Sequence, residues 1–539
     1  MTTKLKNKFF ANSYWDLVII SAFVLAVLGI LSFVSEANPL MIDNDSWQYL
    51  SIAQRIYDKS SLHSISGAIL DFAFDQIAQV NYDLNKIKPY HFPIYPIFLS
   101  GFFYIYNNQF FVALISQFLL CVVFLYSSHL ILQNYVTRKK SLAICLSAFF
   151  FSPLFIYALD TGKEIFCPAL ATLCFYLGLY SKRRDSFLLI LCYFLAITVL
   201  ILARNFYILI PVFCLLYRLL PERFREEEED KKEGKWQLLI FLIACILLPY
   251  AVYQYCYQNL DLFYFQRDRM EPCYLDLKID YQLLLSKVAN NLTRVAYSFT
   301  DPFFMPQFYL FLISLVAFFF YFLRLKIWLI LSPQSWKLSK SFCIFFFYAI
   351  LLIAITVLYE IGGYRMLEGF MPFAFYIIFK NTSSLISFSV GRLKTLIVAL
   401  ALILCDRNFE TVNHYNLYQK NIGNNTADIL DLMQKYDTKI FAMTVKYQPE
   451  SPMLLVNKMP SDSSFIVFFY PKYFCQELTD YSNHGIYLKI IGVSTLEAYN
   501  SCQFLNQNYN LIKQDDKKSL YVLKKLELTK IHTKKTIFL

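Results

Sequence analysis

Apolar runs too long and too numerous for a globular core punctuate this chain. They recur near residues 17–34, 109–131, 141–158, 164–180, 186–202, 206–220, 237–255, 303–323, 341–359, 366–380 and 388–405. A helix needs about 20 apolar residues to cross the ~30 Å hydrocarbon core of a bilayer. Lipid offers no partner to backbone N–H and C=O groups, so a spanning segment must satisfy them internally, as a helix does. The runs therefore predict an α-helical polytopic membrane protein with about eleven transmembrane helices. Only 17% of the 539 residues are charged and 57% are hydrophobic, against about 25% charged in soluble domains. The 13 cysteines form no CxxC pair or zinc spacing, and most lie inside apolar runs as small hydrophobes. The net charge of +11 fits basic cytoplasmic loops rather than a nucleic-acid groove, so no nucleic-acid partner is expected.

Loop charge sets the orientation. Lys4, Lys6 and Lys8 precede the first run, which is longer than the ~7–15 residues of a signal-peptide core. It is expected to be an uncleaved anchor with a cytoplasmic N-terminus. Alternate loops then carry Arg138-Lys139-Lys140, Lys182-Arg183-Arg184, the 221–236 stretch, Arg324 to Lys340 and Lys380 to Lys394. The short loops of the other side hold almost no lysine or arginine, in keeping with the positive-inside rule. The acid run Glu226 to Asp230 is flanked by basic residues and reads as a solvated cytoplasmic loop.

This phase divides the chain into a transmembrane catalytic domain, 1–405, and an extracytoplasmic domain, 406–539. A large first outer loop, 35–108, belongs to the former. In the C-terminal part, strands are expected at 439–445, 464–470, 486–493 and 519–523. Helices are expected at 426–437 and 494–508, the second opened by a Ser494/Glu497 capping box. Strands alternating with helices predict a small α/β module. Its Cys475 and Cys502 would face an oxidising space, where a disulfide between them would close a long loop.

The chemistry gathers on the outer side. The stretch DNDSWQYL places Asp43 and Asp45 just after the first run. Trp47, Leu50, Ala53, Ile56 and Tyr57 recur at helical spacing, so 46–58 is expected to be an amphipathic helix in the membrane interface. Asp45 or Ser46 as its N-cap would explain one acid, but not Asp43. Later comes KPYHFPIYP, Lys88 to Pro96, with about 14 apolar residues behind it. That is too few for a span and suits a re-entrant or interfacial helix, with Lys88 and His91 at the outer surface. Asp160 to Glu164 form a tight outer turn, Arg204 lies between two runs, and Glu360 to Arg365 lie at the outer end of the ninth. Singly, each reads as a snorkelling cation or a capping acid. Their accumulation on one side points to function, because ionisable groups at membrane depth are costly.

These motifs, in this order, resemble the GT-C superfamily of polyprenyl-phosphate-dependent glycosyltransferases, which includes protein O-mannosyltransferases and the lipid A aminoarabinose transferase. The resemblance rests on DNDSWQYLSIA, HFPIYP, GKEIF, LARNFY and GGYRMLEGFMP, and covers about residues 15–380. The chain departs from the commonest pattern in having His91-Phe92-Pro93 where a Pro-Pro pair is frequent. The resemblance implies transfer of a sugar from a polyprenyl-phosphate donor to a lipid, glycan or protein acceptor outside the cytoplasm, with inversion. By that resemblance Asp45 is the general base, assisted by Asp43, and Glu164 orients Lys163 or the acceptor. Lys88, Arg204, Arg365 and Arg267 or Arg269 of YFQRDRM would hold the leaving phosphate, with His91 and Tyr364 beside them. A divalent metal is compatible with the Asp43–Asp45 pair but not required by it. The expected setting is a bacterial inner membrane, with membrane lipid around the spans and the C-terminal domain in the periplasm. Two other classes share parts of the pattern. A lipid-linked sugar flippase or transporter would place its ionisable residues near the midplane. An O-antigen polymerase or ligase would use a late outer loop such as 256–302.

Overall fold

The computed structural model describes residues 3–34, 49, 50, 53, 54, 56, 57, 94–158, 163–180, 187–219, 235–259, 286, 289, 293, 310, 312–317, 319, 363–385, 426–438, 440–444, 464–468, 474–483, 488–494, 502–514 and 518–524. The predicted spans 341–359 and 388–405 and most of 303–323 lie outside these residues. Two compact units form. One comprises residues 1–43, 114–260 and 266–415, the other 44–113, 261–265 and 416–539.

The first unit is helical. Helix α1, Thr3–Val34, buries Ile20, Val24, Val27 and Leu28 along one face while Leu25 and Ile30 stay exposed. A helix that is apolar on both its packed and its open face suits lipid better than water. Helix α2, Ile94–Phe103, belongs to the second unit. Helix α3, Gln109–Leu132, contains Phe111–Leu132, which among the described residues is the one stretch long and apolar enough to cross a membrane.

Helix α4, Arg138–Phe151, is shorter than the run 141–158 predicts. Ser152 takes the extended conformation that a following proline favours, and a single turn, Leu154–Tyr157, follows Pro153. The basic cluster at its start is not a loose loop either. Arg138 Nε donates to Asp16 Oδ2 at 2.6 Å, and His129 Nε2 lies 3.1 Å from the same oxygen. His129 Nδ1 lies 2.8 Å from Ser141 Oγ, whose hydroxyl donates to the His129 carbonyl at 2.9 Å. Asp16, His129 and Ser141 are buried, so each charge or dipole there needs a partner, and the network supplies it. The hydrogen bond to Asp16 pushes the pKa of Arg138, already a permanent cation, further up. The network ties α1, α3 and α4 together at one end.

Helices α5, Lys163–Tyr180, and α6, Phe187–Ala203, are joined by a short connection and pack along each other. A 3-10 turn, Asn205–Ile208, leads directly into α7, Leu209–Leu219. Gly178 permits this packing: a Cβ there would stand 2.6 Å from Cys214 Sγ and 3.2 Å from the Tyr193 hydroxyl. Helices α8, Lys235–Leu242, and α9, Leu248–Asn259, are joined through a π-helical turn, Ile243–Leu247. Pro249 lies just beyond that turn; it has no N–H to give the preceding turn, and the wider turn absorbs the missing bond. A 3-10 helix, Gly363–Phe370, precedes α10, Met371–Leu385.

The C-terminal module belongs to the second unit. Its five strands are β1 Ile440–Thr444, β2 Ser464–Phe468, β3 Ile490–Ser494, β4 Tyr509–Gln514 and β5 Lys518–Leu523. They are ordered β2-β1-β3-β5-β4, parallel among the first three and antiparallel from β3 to β4. Helices α11, Thr426–Lys435, α12, Phe474–Asn483, and α13, Gln503–Asn508, accompany them. The α/β prediction holds, with corrections. Strand β4 and helix α12 were not expected, and Ser494 ends β3 opposite Lys518. The described part of the 494–508 helix starts instead at Gln503, with Cys502 at the N-cap position. Cys475 and Cys502 form a disulfide that ties α12 to the start of α13, 27 residues along the chain.

Candidate functional site

In the second unit two of the five motifs meet. Tyr49, Leu50, Ala53, Gln54, Ile56 and Tyr57 are helical, as the spacing in DNDSWQYLSIA predicts. Leu50 and Ala53 are fully buried. The Tyr49 ring stands edge-on to Tyr95 of HFPIYP, with centroids 5.3 Å apart. Tyr57 stacks on Phe103 at 5.9 Å and meets Tyr104 edge-on at 4.9 Å. The described residues of this segment thus pack on α2. Edge-to-face rings add about 0.5–1.5 kcal/mol each beyond the area they bury. Helix α2 has 10 residues, about 15 Å at helical rise, so it stops short of a span as predicted. The acids Asp43 and Asp45 and the pair Lys88 and His91 lie outside the described residues, directly before these two anchored segments.

In the first unit the other three motifs converge. Lys163 and Glu164 open α5, where the free N–H groups of a helix start favour a carboxylate. Pro168 follows inside the same helix, so the Glu164 carbonyl loses the N–H that an ordinary residue would bring to it. Arg204 sits where α6 passes into the 3-10 turn. Its N–H donates to the Leu200 carbonyl at 2.9 Å, and its own carbonyl accepts from Tyr207 at 3.2 Å. The guanidinium-bearing residue is half-buried and Tyr207 is buried. Because α6 runs back along α5, the end of one lies near the start of the other. Tyr364 and Arg365 occupy the 3-10 helix Gly363–Phe370, which packs on α5 with Gly369 against Pro168: a Cβ there would lie 3.5 Å from the Pro168 Cα. GKEIF, LARNFY and GGYRMLEGFMP are thus neighbours in space. Arg267 and Arg269 lie outside the described residues.

Glu368 was not among the sequence candidates. It is a fully buried carboxylate one 3-10 turn beyond Arg365. A lone acid within an apolar motif carries no local sign of burial, and sequence reasoning passed over it. The Asp16–His129–Arg138 network was missed for the same reason. Among the described residues no cluster of histidines, cysteines and acids would hold a metal ion.

The described residues thus form one helical unit with ionisable motifs at helix ends and a second unit that carries a small α/β module. The comparison with solved structures agrees at the level of fold. ArnT from Cupriavidus metallidurans in the apo state superposes with a TM-score of 0.51 at 10% identity, over 93% of this chain and 97% of that chain. The same protein bound to undecaprenyl phosphate gives 0.51 at 11% identity over the same shares. The likeness to ArnT is thus one of fold over nearly the whole chain. No family model and no curated protein sequence matches the chain.

Proposed function

We propose that the chain is an inverting membrane glycosyltransferase with eleven spans. It moves a sugar from a polyprenyl-phosphate donor to a hydroxyl or amine of a lipid, glycan or protein acceptor, on the periplasmic side of a bacterial inner membrane. One observation carries the reading: over 93% of its length the chain shares the fold of ArnT, a protein seen bound to undecaprenyl phosphate. Asp45 takes the acceptor's proton as the acceptor oxygen or nitrogen bonds the anomeric carbon. The bond from that carbon to the phosphate oxygen breaks, its electron pair leaves with the polyprenyl phosphate, and attack from the opposite face inverts the centre. Lys88, Arg204, Arg365 and Arg267 or Arg269 offset the negative charge on the leaving phosphate. His91 and Tyr364 line the donor side, Glu164 orients Lys163 or the acceptor, and Asp43 supports Asp45. Asp43 and Asp45 are also the residues that would hold a divalent ion. The Cys475–Cys502 disulfide supports a periplasmic module, since such bonds persist in oxidising compartments.

The test is Asp45→Asn, which preserves shape and helix-capping ability while removing basicity. Transfer from radiolabelled polyprenyl-phosphate sugars in membranes should fall by about 10²–10⁴, the range for loss of a general base. Expression and insertion should stay near normal. Wild-type turnover by the purified variant would leave Asp45 as a helix cap and remove it from the mechanism.

A further inference from the structure

The turn between α2 and α3 leaves three consecutive large apolar side chains open. Tyr104 is 69% exposed, Ile105 66% and Tyr106 58%. The turn is nonetheless fixed. The N–H groups of Ile105 and Tyr106 both donate to the Phe102 carbonyl, at 3.0 and 3.2 Å, and the Asn108 N–H donates to the Tyr106 carbonyl at 2.9 Å. Asn108 then caps α3: its Oδ1 accepts from the Phe111 N–H at 3.0 Å, and its carbonyl from the Val112 N–H at 2.9 Å. Tyr106 also meets the Phe111 ring edge-on at 5.1 Å. An ordered turn that presents a run of apolar side chains is costly in water and marks a place of interaction.

Its place on α3 says what covers it. The stretch Phe111–Leu132 has 22 residues, about 33 Å at helical rise against a hydrocarbon core of ~30 Å. The turn directly precedes that stretch and so falls at headgroup level. The far end of α3 carries the same signature. There His129 lies 3.1 Å from Asp16 of α1, which follows Tyr14 and Trp15, 63% and 60% exposed. From Asn108 to His129 the helix rises about 30 Å. Exposed aromatic side chains thus mark both ends of one bilayer thickness, where rings with a polar edge settle. Asn107 and Asn108, also exposed, add amides that can bond headgroups, and residues 104–108 carry no charge.

We propose that Tyr104, Ile105 and Tyr106 form a lipid-binding seat whose partner is phospholipid at the boundary of headgroups and acyl chains. Tyr104 meets Tyr57 edge-on at 4.9 Å, and Tyr57 stacks on Phe103 at 5.9 Å. The seat therefore holds the 49–57 segment, which begins four residues after Asp45, at a set height on the membrane surface. The inference rests on reading α3 as a span.

The experiment places the photoreactive residue benzoylphenylalanine singly at Ile105, at Leu119 and at Gln434 of the full-length protein, in nanodiscs of radiolabelled phosphatidylcholine. Leu119 is an exposed residue in the middle of α3, and Gln434 an exposed residue of α11. After illumination, label should attach at 105 as it does at 119 and be absent at 434. No lipid label at 105, or a cross-linked dimer there in its place, would overturn the seat. Position 119 tells which reading failed: labelled, it leaves the span intact and removes the seat alone; unlabelled together with 105, it removes both. Should the 105 variant fail to fold, the probe moves to Tyr106, where loss of label overturns the seat equally. The hold on the 49–57 segment has its own readout. Ile105→Asp leaves the Tyr57 and Tyr104 rings in place but puts a charge in the seat. It should speed amide exchange over 49–57 by about two- to tenfold, the range that loosening one ring pair spans. Unchanged exchange would show that the seat holds nothing.

Discussion

Arg204 and Arg365 decide at the residue scale between an enzyme and a bystander. Each closes an apolar helix or opens a 3-10 segment, positions where a long cation can reach headgroups by snorkelling. Snorkelling tolerates lysine. Holding a phosphate through two parallel N–H bonds does not, because an ammonium lacks the planar fork. Arg204→Lys and Arg365→Lys should therefore each weaken use of the donor, and the double variant should fall short of the product of the two losses. Transfer rate against donor concentration measures this. Two lysine variants with wild-type curves would make both arginines membrane anchors.

At the scale of elements, α5 positions more of the proposed site than any other helix. It begins with Lys163-Glu164, carries Pro168 against Gly369, and ends on α6 and α7 at Gly178. The close approach at Gly178 leaves no room for a side chain, since an added Cβ would stand 2.6 Å from Cys214 Sγ. Gly178→Val should cost about 1–3 kcal/mol through overpacking. Cys214→Ala on the same background should return part of that loss, since it removes the sulfur in the way. Thermal midpoints of the three purified proteins check both statements. An unchanged midpoint for Gly178→Val would mean that α5 and α7 separate at little cost. Pro153 marks another element boundary: it was visible in the run 141–158, yet the apolar count alone hid the break it causes between α4 and the turn Leu154–Tyr157.

For the whole molecule the commitment is topological. Reporters fused after residue 539 and near residue 265 should read periplasmic, and one near residue 230 cytoplasmic, following the lysine and arginine asymmetry of the short loops. A cytoplasmic signal from the C-terminal fusion would reverse the placement of the α/β module. The disulfide offers an independent check. Alkylation of thiols in cells should find Cys475 and Cys502 protected, and Cys475→Ser should destabilise the module by about 3–4 kcal/mol on the chain-entropy estimate for a loop of this size. Free thiols in the native protein would argue that the module stays in a reducing compartment.

Apolar run length is a local property, so the positions of most of the described helices could be read directly from the order of residues. The five motifs were equally legible, because each is a short string. Tyr49 and Tyr95 then proved to touch, and GKEIF, LARNFY and GGYRMLEGFMP to be neighbours. What no string contains is a contact between distant segments. Asp16 reaches His129 and Arg138 across 113 and 122 residues, and each alone reads as an ordinary helix-end residue. Strand β4 exists because β5 pairs with it. The burial of Glu368 likewise follows from what packs around the 3-10 segment. Periodicity and charge act along the chain, but burial and pairing are set by whatever else the fold brings alongside.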